Sequence, residues 1–260
     1  MVVWGNARQG APAAVGHPDL PPQRDRVLSR IEAGLDEPIA RRVFRELRTA
    51  IVTMRIRPGE AVSEQDVADQ LGVSRQPVRE AFIKLREAGL VSIRPQRGTF
   101  VVKISVRQVF DARFVREALE LAVVRRAVAE LKAADITLLR SNLDEQTAAA
   151  ADKDPGRFLD LDEAFHRTIA LQVGCEHAWR VVEDTKAQMD RVRYLSLADA
   201  TPVPRLIAQH VAIVDAIEAR DVEAAESAVR LHLREILTSL PELATRFPDL
   251  FTDDTPANLR

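Results

Sequence analysis

Residues 63–90 constrain the fold of this chain more strongly than any other stretch. They contain two runs of apolar residues at helical spacing, with Gly72 between the runs and Gly89 after the second. Ser63 and Ser74 stand just before the two runs, where a serine side chain can cap a helix. The apolar positions are Val67, Ala68 and Leu71 in the first run and Val78, Phe82 and Leu85 in the second. The pattern predicts two short helices joined by a tight turn.

The second of these helices is predicted to expose a polar face that can bind nucleic acid. Arg75, Gln76 and Arg79 carry guanidinium and amide groups, which contact phosphates and guanine edges when a helix lies in a major groove. A helical hairpin with a solvated basic face is the alternative for the helix pair alone. Two β-rich runs at residues 90–93 and 99–102, joined by a basic turn, follow the pair and predict a β-hairpin. A helix pair followed by a basic hairpin favours a winged helix-turn-helix.

Several motifs of this region resemble those of a known protein family. They are GVSRQPVREAF, EAGLV and RGTFV, preceded by PGE at residues 58–60. Over residues 38–103 the chain resembles the N-terminal DNA-binding domain of the GntR family of bacterial transcription regulators. The resemblance implies a set of residues that face DNA, the last two of them at the tip of the wing in the minor groove: Gln65, Ser74, Arg75, Gln76, Arg79, Arg97 and Gly98.

The remainder of the chain predicts a larger, helical domain. Of the 260 residues, 46% are hydrophobic but only 5% aromatic, which suits helices better than sheets. After Lys103 the strand pattern stops, and helical periodicity predicts six helices. They cover residues 106–132, 134–151, 157–173, 175–197, 203–219 and 222–240. These helices predict an all-α bundle without internal repeats.

The predicted fold class is therefore mainly α, with two domains. Residues 38–104 form the winged helix-turn-helix of three helices and a β-hairpin, and residues 105–245 form the helical bundle. A flexible arm with a short helix at residues 25–35 is expected before them, and a tail at residues 246–260 after them. The first helix of the winged domain carries four arginines that are expected to face solvent, with a phosphate contact by one of them as the alternative. They are Arg41, Arg42, Arg45 and Arg48.

Charge is distributed unevenly between the two predicted domains. Residues 38–104 contain 13 basic and 7 acidic side chains, whereas residues 105–260 contain 20 and 27. We therefore expect only the first domain to meet DNA phosphates. The single cysteine, Cys175, excludes an internal disulfide framework. Because the sequence also lacks a long apolar run and a signal peptide, a soluble cytoplasmic protein without a membrane partner is expected.

Three histidines and one aspartate of the helical domain have the pattern of a metal site. Asp162 and His166 are four residues apart and so project from one face of a helix. His210 and His232 fall on two later helices that could face the same core. One carboxylate and three imidazoles can hold a divalent transition metal and leave positions open for water or a ligand oxygen. Zinc is the first expectation, and nickel, manganese and iron also fit this ligand set.

The helical region also carries a second resemblance. The segments LDLDEAFHRTIA and QHVAIVDAIEARDVEAAESAVRLHL resemble the FCD ligand-binding domain that defines the FadR subfamily of GntR regulators, over residues 108–245. The metal-binding pattern of that family is present in full at the four ligands named above. A small organic acid could bind such a metal while a guanidinium neutralises its remaining charge. The candidates for this guanidinium are Arg116, Arg191 and Arg193.

These features predict a ligand-responsive DNA-binding regulator rather than an enzyme. Repression is the usual activity of the resembled family, and a homodimer on an inverted repeat in double-stranded DNA is expected. A small carboxylate or sugar acid is the expected effector. Two alternatives stay open at this point. The helical domain could be a metal-dependent hydrolase or lyase, or the metal could have a purely structural role.

Overall fold

The computed structural model describes residues 28–31, 37–199 and 201–253, which contain ten α-helices and a small sheet. This confirms the predicted fold class, a winged helix-turn-helix followed by an all-helical domain. Within these ranges no helix is both long and apolar enough to cross a bilayer.

The winged domain is built from three helices and three short strands. The helices are α1 Ile39–Val52, α2 Glu64–Leu71 and α3 Arg75–Glu87. The strands are β1 Ala61–Val62, β2 Val91–Arg94 and β3 Gly98–Val101, all antiparallel, in the order β1-β3-β2. The two-residue strand β1 was not predicted, because a run of this length has no periodicity to detect.

The local signals of the helix-turn-helix act largely as the sequence predicts. The side chain of Ser63 accepts a hydrogen bond from the backbone N–H of Asp66, and Gly72 ends α2 in the left-handed conformation. The Ser74 side chain, in contrast, makes no capping bond within the described residues. All six apolar positions predicted for the helix pair are buried in one cluster. The helix pair is thus held by a common core with α1.

Seven helices form the part of the C-terminal domain that the structure describes. They are α4 Val106–Glu130, α5 Ala133–Ala151, α6 Pro155–Gln172, α7 Glu176–Thr185, α8 Ala187–Asp199, α9 Val203–Glu218 and α10 Val222–Arg246. The prediction of one helix over residues 175–197 is wrong, since α7 ends before Lys186 and α8 begins after it. Lys186 is 2% exposed and its Nζ donates to Glu163 and Asp190. This buried contact lies at the break, and the sequence there has no glycine or proline to signal it.

The chain beyond the predicted bundle packs against the linker between the domains. Helix α10 continues past residue 240, and a 3₁₀ turn, Pro248–Leu250, follows it. Ile104 and Phe251 form a β-bridge, and both are buried. The segment predicted as a tail therefore begins as part of the core. The predicted helix at residues 25–35 lies mostly outside the described residues, and residues 28–31 are not helical.

Candidate metal centre and nucleic-acid interface

The side chains predicted to face DNA lie on one exposed surface of the winged domain. All seven are exposed: Gln65, Ser74, Arg75, Gln76, Arg79, Arg97 and Gly98. A groove of about 730 Å³ between α2, the start of α3 and the wing is lined by Gln65, Arg75, Arg97 and Gly98. Helix α3, which we call the reading helix, and the wing tip therefore border the same open groove. This arrangement suits a helix in the major groove with a wing beside it.

Glu64 is an acidic residue within this surface that the sequence pattern did not identify. Its carboxylate accepts hydrogen bonds from Arg75 Nη2 at 3.4 Å and from Arg79 Nη2 at 3.3 Å. Because both arginines are more than half exposed, these pairs contribute little to stability. They do hold the two guanidinium groups side by side at the start of the reading helix. A DNA phosphate would compete with Glu64 for them.

The four predicted metal ligands converge between three helices. Helix α6 carries Asp162 and His166, α9 carries His210 and α10 carries His232, and all four are buried. One ligand atom of each lies within 4.8 Å of the others. Nε2 of His232 is 3.1 Å from Nε2 of His166 and 3.2 Å from Nε2 of His210. Oδ1 of Asp162 is 3.5 Å from Nε2 of His210. The helices thus direct four donor groups into one small space.

Three acceptor side chains orient the imidazole rings from outside this space. Each acceptor lies at hydrogen-bond distance from an Nδ1 atom. The pairs are His166 with Glu120 at 2.7 Å, His210 with Gln146 at 2.8 Å and His232 with Gln209 at 3.2 Å. An acceptor at Nδ1 favours the tautomer with the proton on that nitrogen, which leaves the Nε2 lone pair facing the cluster. This is the usual second layer of a histidine metal site.

The sequence pattern did not identify these acceptors as functional. Gln146 is the clearest case, because it takes a position on the buried face of α5 between Leu143 and Ala149. An amide on an otherwise apolar face needs a buried partner. That signal was available in the sequence, whereas the matching histidine on α9 could not be found without the packing of the helices.

The pKa shifts of the candidate ligands suit the binding of a cation. Burial lowers the pKa of His210 to about 3 and the pKa of His232 well below its usual value. Burial alone would raise the pKa of Asp162, but Arg193 and the three neighbouring histidines together outweigh burial and hold that pKa well below the ordinary range. Asp162 Oδ1 accepts no hydrogen bond from any described residue. Imidazole nitrogens and an ionised carboxylate at these distances are the donor set that a divalent transition metal requires.

Two of the three predicted guanidinium groups lie beside the cluster. Arg116 and Arg193 line a cavity of about 30 Å³ together with Asp162 and His232. Arg193 donates to Asp162 Oδ2, and Arg116 donates to Glu120. These contacts place both guanidinium groups within the layer of side chains that surrounds the candidate ligands.

The position of Arg191 does not fit its predicted role at the effector site. Its side chain is buried, and Nη1 donates to the backbone oxygen of Val102 at 2.6 Å, at the end of the wing. Residues two apart on a helix point to nearly opposite sides, so Arg191 faces away from the cavity that Arg193 lines. Burial lowers the pKa of Arg191 to about 9.

Comparison with known proteins gives matches for both domains. Residues 39–101 match the bacterial regulatory proteins of the gntR family, and residues 111–235 match the FCD domain. The HTH-type transcriptional repressor RspR of Escherichia coli (strain K12) is 41% identical over 218 residues, which cover 84% of this chain and 96% of that protein. An HTH-type transcriptional regulator of Streptomyces ambofaciens is 38% identical over 214 residues, covering 82% and 90%.

A solved structure has the same fold. McbR/YncC of Escherichia coli superposes with a TM-score of 0.69 at 20% identity, and the match covers 82% of this chain and 99% of that chain. The matched relatives are transcription regulators and not enzymes, which sets aside the hydrolase or lyase interpretation. The chain belongs to the gntR family of bacterial regulatory proteins, as a DNA-binding transcription regulator with a C-terminal FCD domain.

Proposed function

We propose that the protein is a repressor of the FadR subfamily, and that a small carboxylate or sugar acid bound at a divalent metal in the FCD domain controls its affinity for DNA. The observation that carries this proposal is the convergence of Asp162 and three histidines beside a cavity that Arg116 and Arg193 also line. RspR, the relative with 41% identity, is described as a transcriptional repressor. The subfamily, the metal and the acid are part of the proposal.

The chemistry of the cavity supports an anionic, polar ligand. Bound at the four ligands, a divalent metal supplies positive charge that can accept a carboxylate oxygen. Arg116 and Arg193 add two guanidinium groups, which bind carboxylates through paired hydrogen bonds. Thr201 lines the same cavity, and its buried Oγ1 has no hydrogen-bond partner among the described residues. A ligand hydroxyl near Thr201 would satisfy that atom.

DNA binding is proposed to use two copies of the winged domain. Each domain offers one reading helix and one wing, and a single helix discriminates too few base pairs to find one site in a genome. A homodimer on an inverted repeat adds the discrimination of the two half-sites. The exposed surface that carries Gln65, Arg79 and Gly98 is the part of each copy that we expect to face the double-stranded operator.

The experiment starts with selection of an operator from random duplexes at about 0.15 M salt, where non-specific binding is already weak. We expect an inverted repeat. Fluorescence anisotropy with the zinc-loaded protein and a panel of small carboxylates and sugar acids then identifies an acid that changes operator affinity by about 5-fold or more. The absence of any sequence preference would refute the proposal.

A purely structural metal is the remaining alternative, and the Asp162→Ala variant separates it from the proposed role. Under our proposal this variant binds the operator but no longer responds to metal or acid. If metal removal lowers the melting temperature of the parent protein while operator affinity and its response to every acid stay the same, the metal only fastens the bundle.

A further inference from the structure

Helix α8 contacts both the candidate metal centre and the winged domain. On one side, Arg193 donates to Oδ2 of the ligand Asp162. On the other side, Asp190 accepts a hydrogen bond from Arg48 of α1 at 2.5 Å. The two contacts are separated by three residues of one helix, and all side chains involved are buried or partly buried. Ionic contacts therefore run from the metal centre to the first helix of the DNA-binding domain.

Asp190 is shared by three cationic side chains. Its Oδ2 accepts from Arg48 and, at 2.9 Å, from Lys186. Its Oδ1 makes no hydrogen bond to any described residue, but lies 3.7 Å from Nη1 of Arg193. Asp190 is 5% exposed, so water does not screen these charges strongly. A closer approach of Arg193 would give Oδ1 a partner and weaken the hold of Asp190 on Arg48.

Arg193 has space on the side that such a movement needs. It lines the cavity of about 30 Å³ beside the metal ligands, and it also lines a second cavity of about 80 Å³ at the joint between the domains. Arg48, Asp160, Glu163 and Asp190 line the second cavity as well. The guanidinium group therefore stands between the metal centre and a larger space with acidic walls.

We propose that Arg193, Asp190 and Arg48 form an ion-pair relay that couples metal binding at Asp162 to the packing of α1 against the FCD domain. The relay rests on the metal centre of the proposed function. When the Asp162 carboxylate is shared with a divalent cation, it holds Arg193 less strongly and the added positive charge repels the guanidinium group. Arg193 then approaches Asp190 Oδ1, and the Arg48 pair at the domain joint weakens.

The relay predicts that zinc binding changes the mobility of α1. Hydrogen–deuterium exchange of the full-length protein is measured with and without Zn²⁺, and zinc binding is measured in parallel by calorimetry. In the parent protein we expect zinc to speed amide exchange in the second half of α1 by about fivefold or more. In Arg48→Gln, we expect exchange there to be fast already and to stay unchanged by zinc, with zinc stoichiometry as in the parent.

Two further variants separate coupling from a structural role. Arg45→Gln is the matched control, because Arg45 lies on α1 but pairs with Glu37 instead of Asp190. It should respond to zinc like the parent protein. Arg48→Lys keeps the charge at this position and should restore part of the zinc response, which a role in packing alone would not do.

The outcomes distinguish the relay from the metal centre. If the parent protein binds no zinc, both the proposed metal site and the relay fail. If zinc binds but exchange in α1 does not change, or changes equally in Arg48→Gln, only the relay is wrong.

Discussion

The histidines of this chain show how strongly the surroundings of a side chain determine its chemistry. His232 is buried with its Nε2 directed at Asp162 and two further imidazoles, whereas His177 is exposed on α7. We expect His232→Ala to abolish stabilisation by zinc, which for the parent protein should reach about 2.7 kcal/mol at a hundredfold excess over Kd. Thermal melts with and without zinc measure this effect.

His177→Ala provides the control for that substitution. It removes the same side chain from an exposed position, and it should keep the full zinc shift. A zinc shift of normal size in His232→Ala would show that the four residues do not act together as ligands.

A substitution of Arg79 tests whether the exposed face of the reading helix is the one that contacts DNA. It is exposed on α3, and among the described residues it is held by Glu64. We expect Arg79→Ala to weaken operator binding by about 1–3 kcal/mol, the range for loss of a guanidinium that contacts bases. Anisotropy titrations at one salt concentration measure it. Arg86→Ala, at the other end of the same helix, should bind almost normally, and equal losses in both variants would contradict the proposed orientation.

The sequence predicted the candidate ligands better than the residues around them. Asp162 and His166 share a helical face by spacing alone, and few other histidines compete for the role. The arginines of α8 were ambiguous because residues 187–192 are all buried, three of them polar or charged. A helix buried on all sides has no polar face from which its rotation can be read. Its packing was therefore needed to show that Arg193 and not Arg191 lines the cavity.

Among the secondary-structure elements, those with strong local signals were predicted and those defined by tertiary contacts were not. The helix-turn-helix has a serine at the N-terminal boundary of each helix, glycine stops and an apolar stripe, so its bounds follow from the chain itself. The boundary between α7 and α8 lies instead at Lys186, a residue with no helix-breaking tendency. At this boundary Lys186 donates to Glu163 of α6, which is distant in sequence.

Gly89, at the end of the reading helix, tests the role of such a local signal. It has a φ of +68°, and no described atom lies within 4 Å of where a Cβ would be added. We therefore expect Gly89→Ala to destabilise the fold through backbone strain alone, by about 1–2 kcal/mol. Denaturant melts measure the change in free energy of unfolding.

Gly156→Ala is the matched comparison on α6. Gly156 lies in the first turn of that helix, and an added Cβ would be 3.4 Å from Asp154 Oδ1. Because alanine restricts the unfolded chain, we expect this change to be neutral or to stabilise by about 0.4–1 kcal/mol. Equal effects of the two substitutions would rule out the left-handed conformation as the reason for glycine at position 89.

At the scale of the whole molecule, the joint between the domains was the feature that the sequence did not predict. Arg48 was expected to face solvent, but it pairs with Asp190 of the other domain. Gln188 donates to the backbone oxygen of Gly89 at 3.0 Å, which also fixes the end of the reading helix to α8. These pairs join residues 142 and 99 positions apart, and no periodicity in either segment predicts them.

The joint should also make the stability of the protein depend on pH in a specific way. Burial alone would raise the pKa of Asp190, but Lys186, Arg48 and Arg193 together outweigh burial and lower that pKa from 3.8 to about 2. A lowered pKa in the folded state means that the carboxylate stabilises the fold above the unfolded value of 3.8, and that this contribution is lost as pH falls towards 2. The shift corresponds to about 2 kcal/mol.

We therefore expect the free energy of unfolding of Asp190→Asn to fall below that of the parent protein by the largest amount at about pH 5–7, where the parent carboxylate is ionised in both states. The difference should shrink by about 2 kcal/mol between about pH 4 and pH 2, because the parent loses its ionic contacts there and the asparagine variant has no carboxylate to protonate. Urea melts across this pH range measure the difference.

Asp184→Asn changes an exposed carboxylate at the end of α7 and should show little of this pH dependence. A constant difference between Asp190→Asn and the parent at every pH would mean that Asp190 acts at the joint through its shape and hydrogen bonds and that its charge does not contribute.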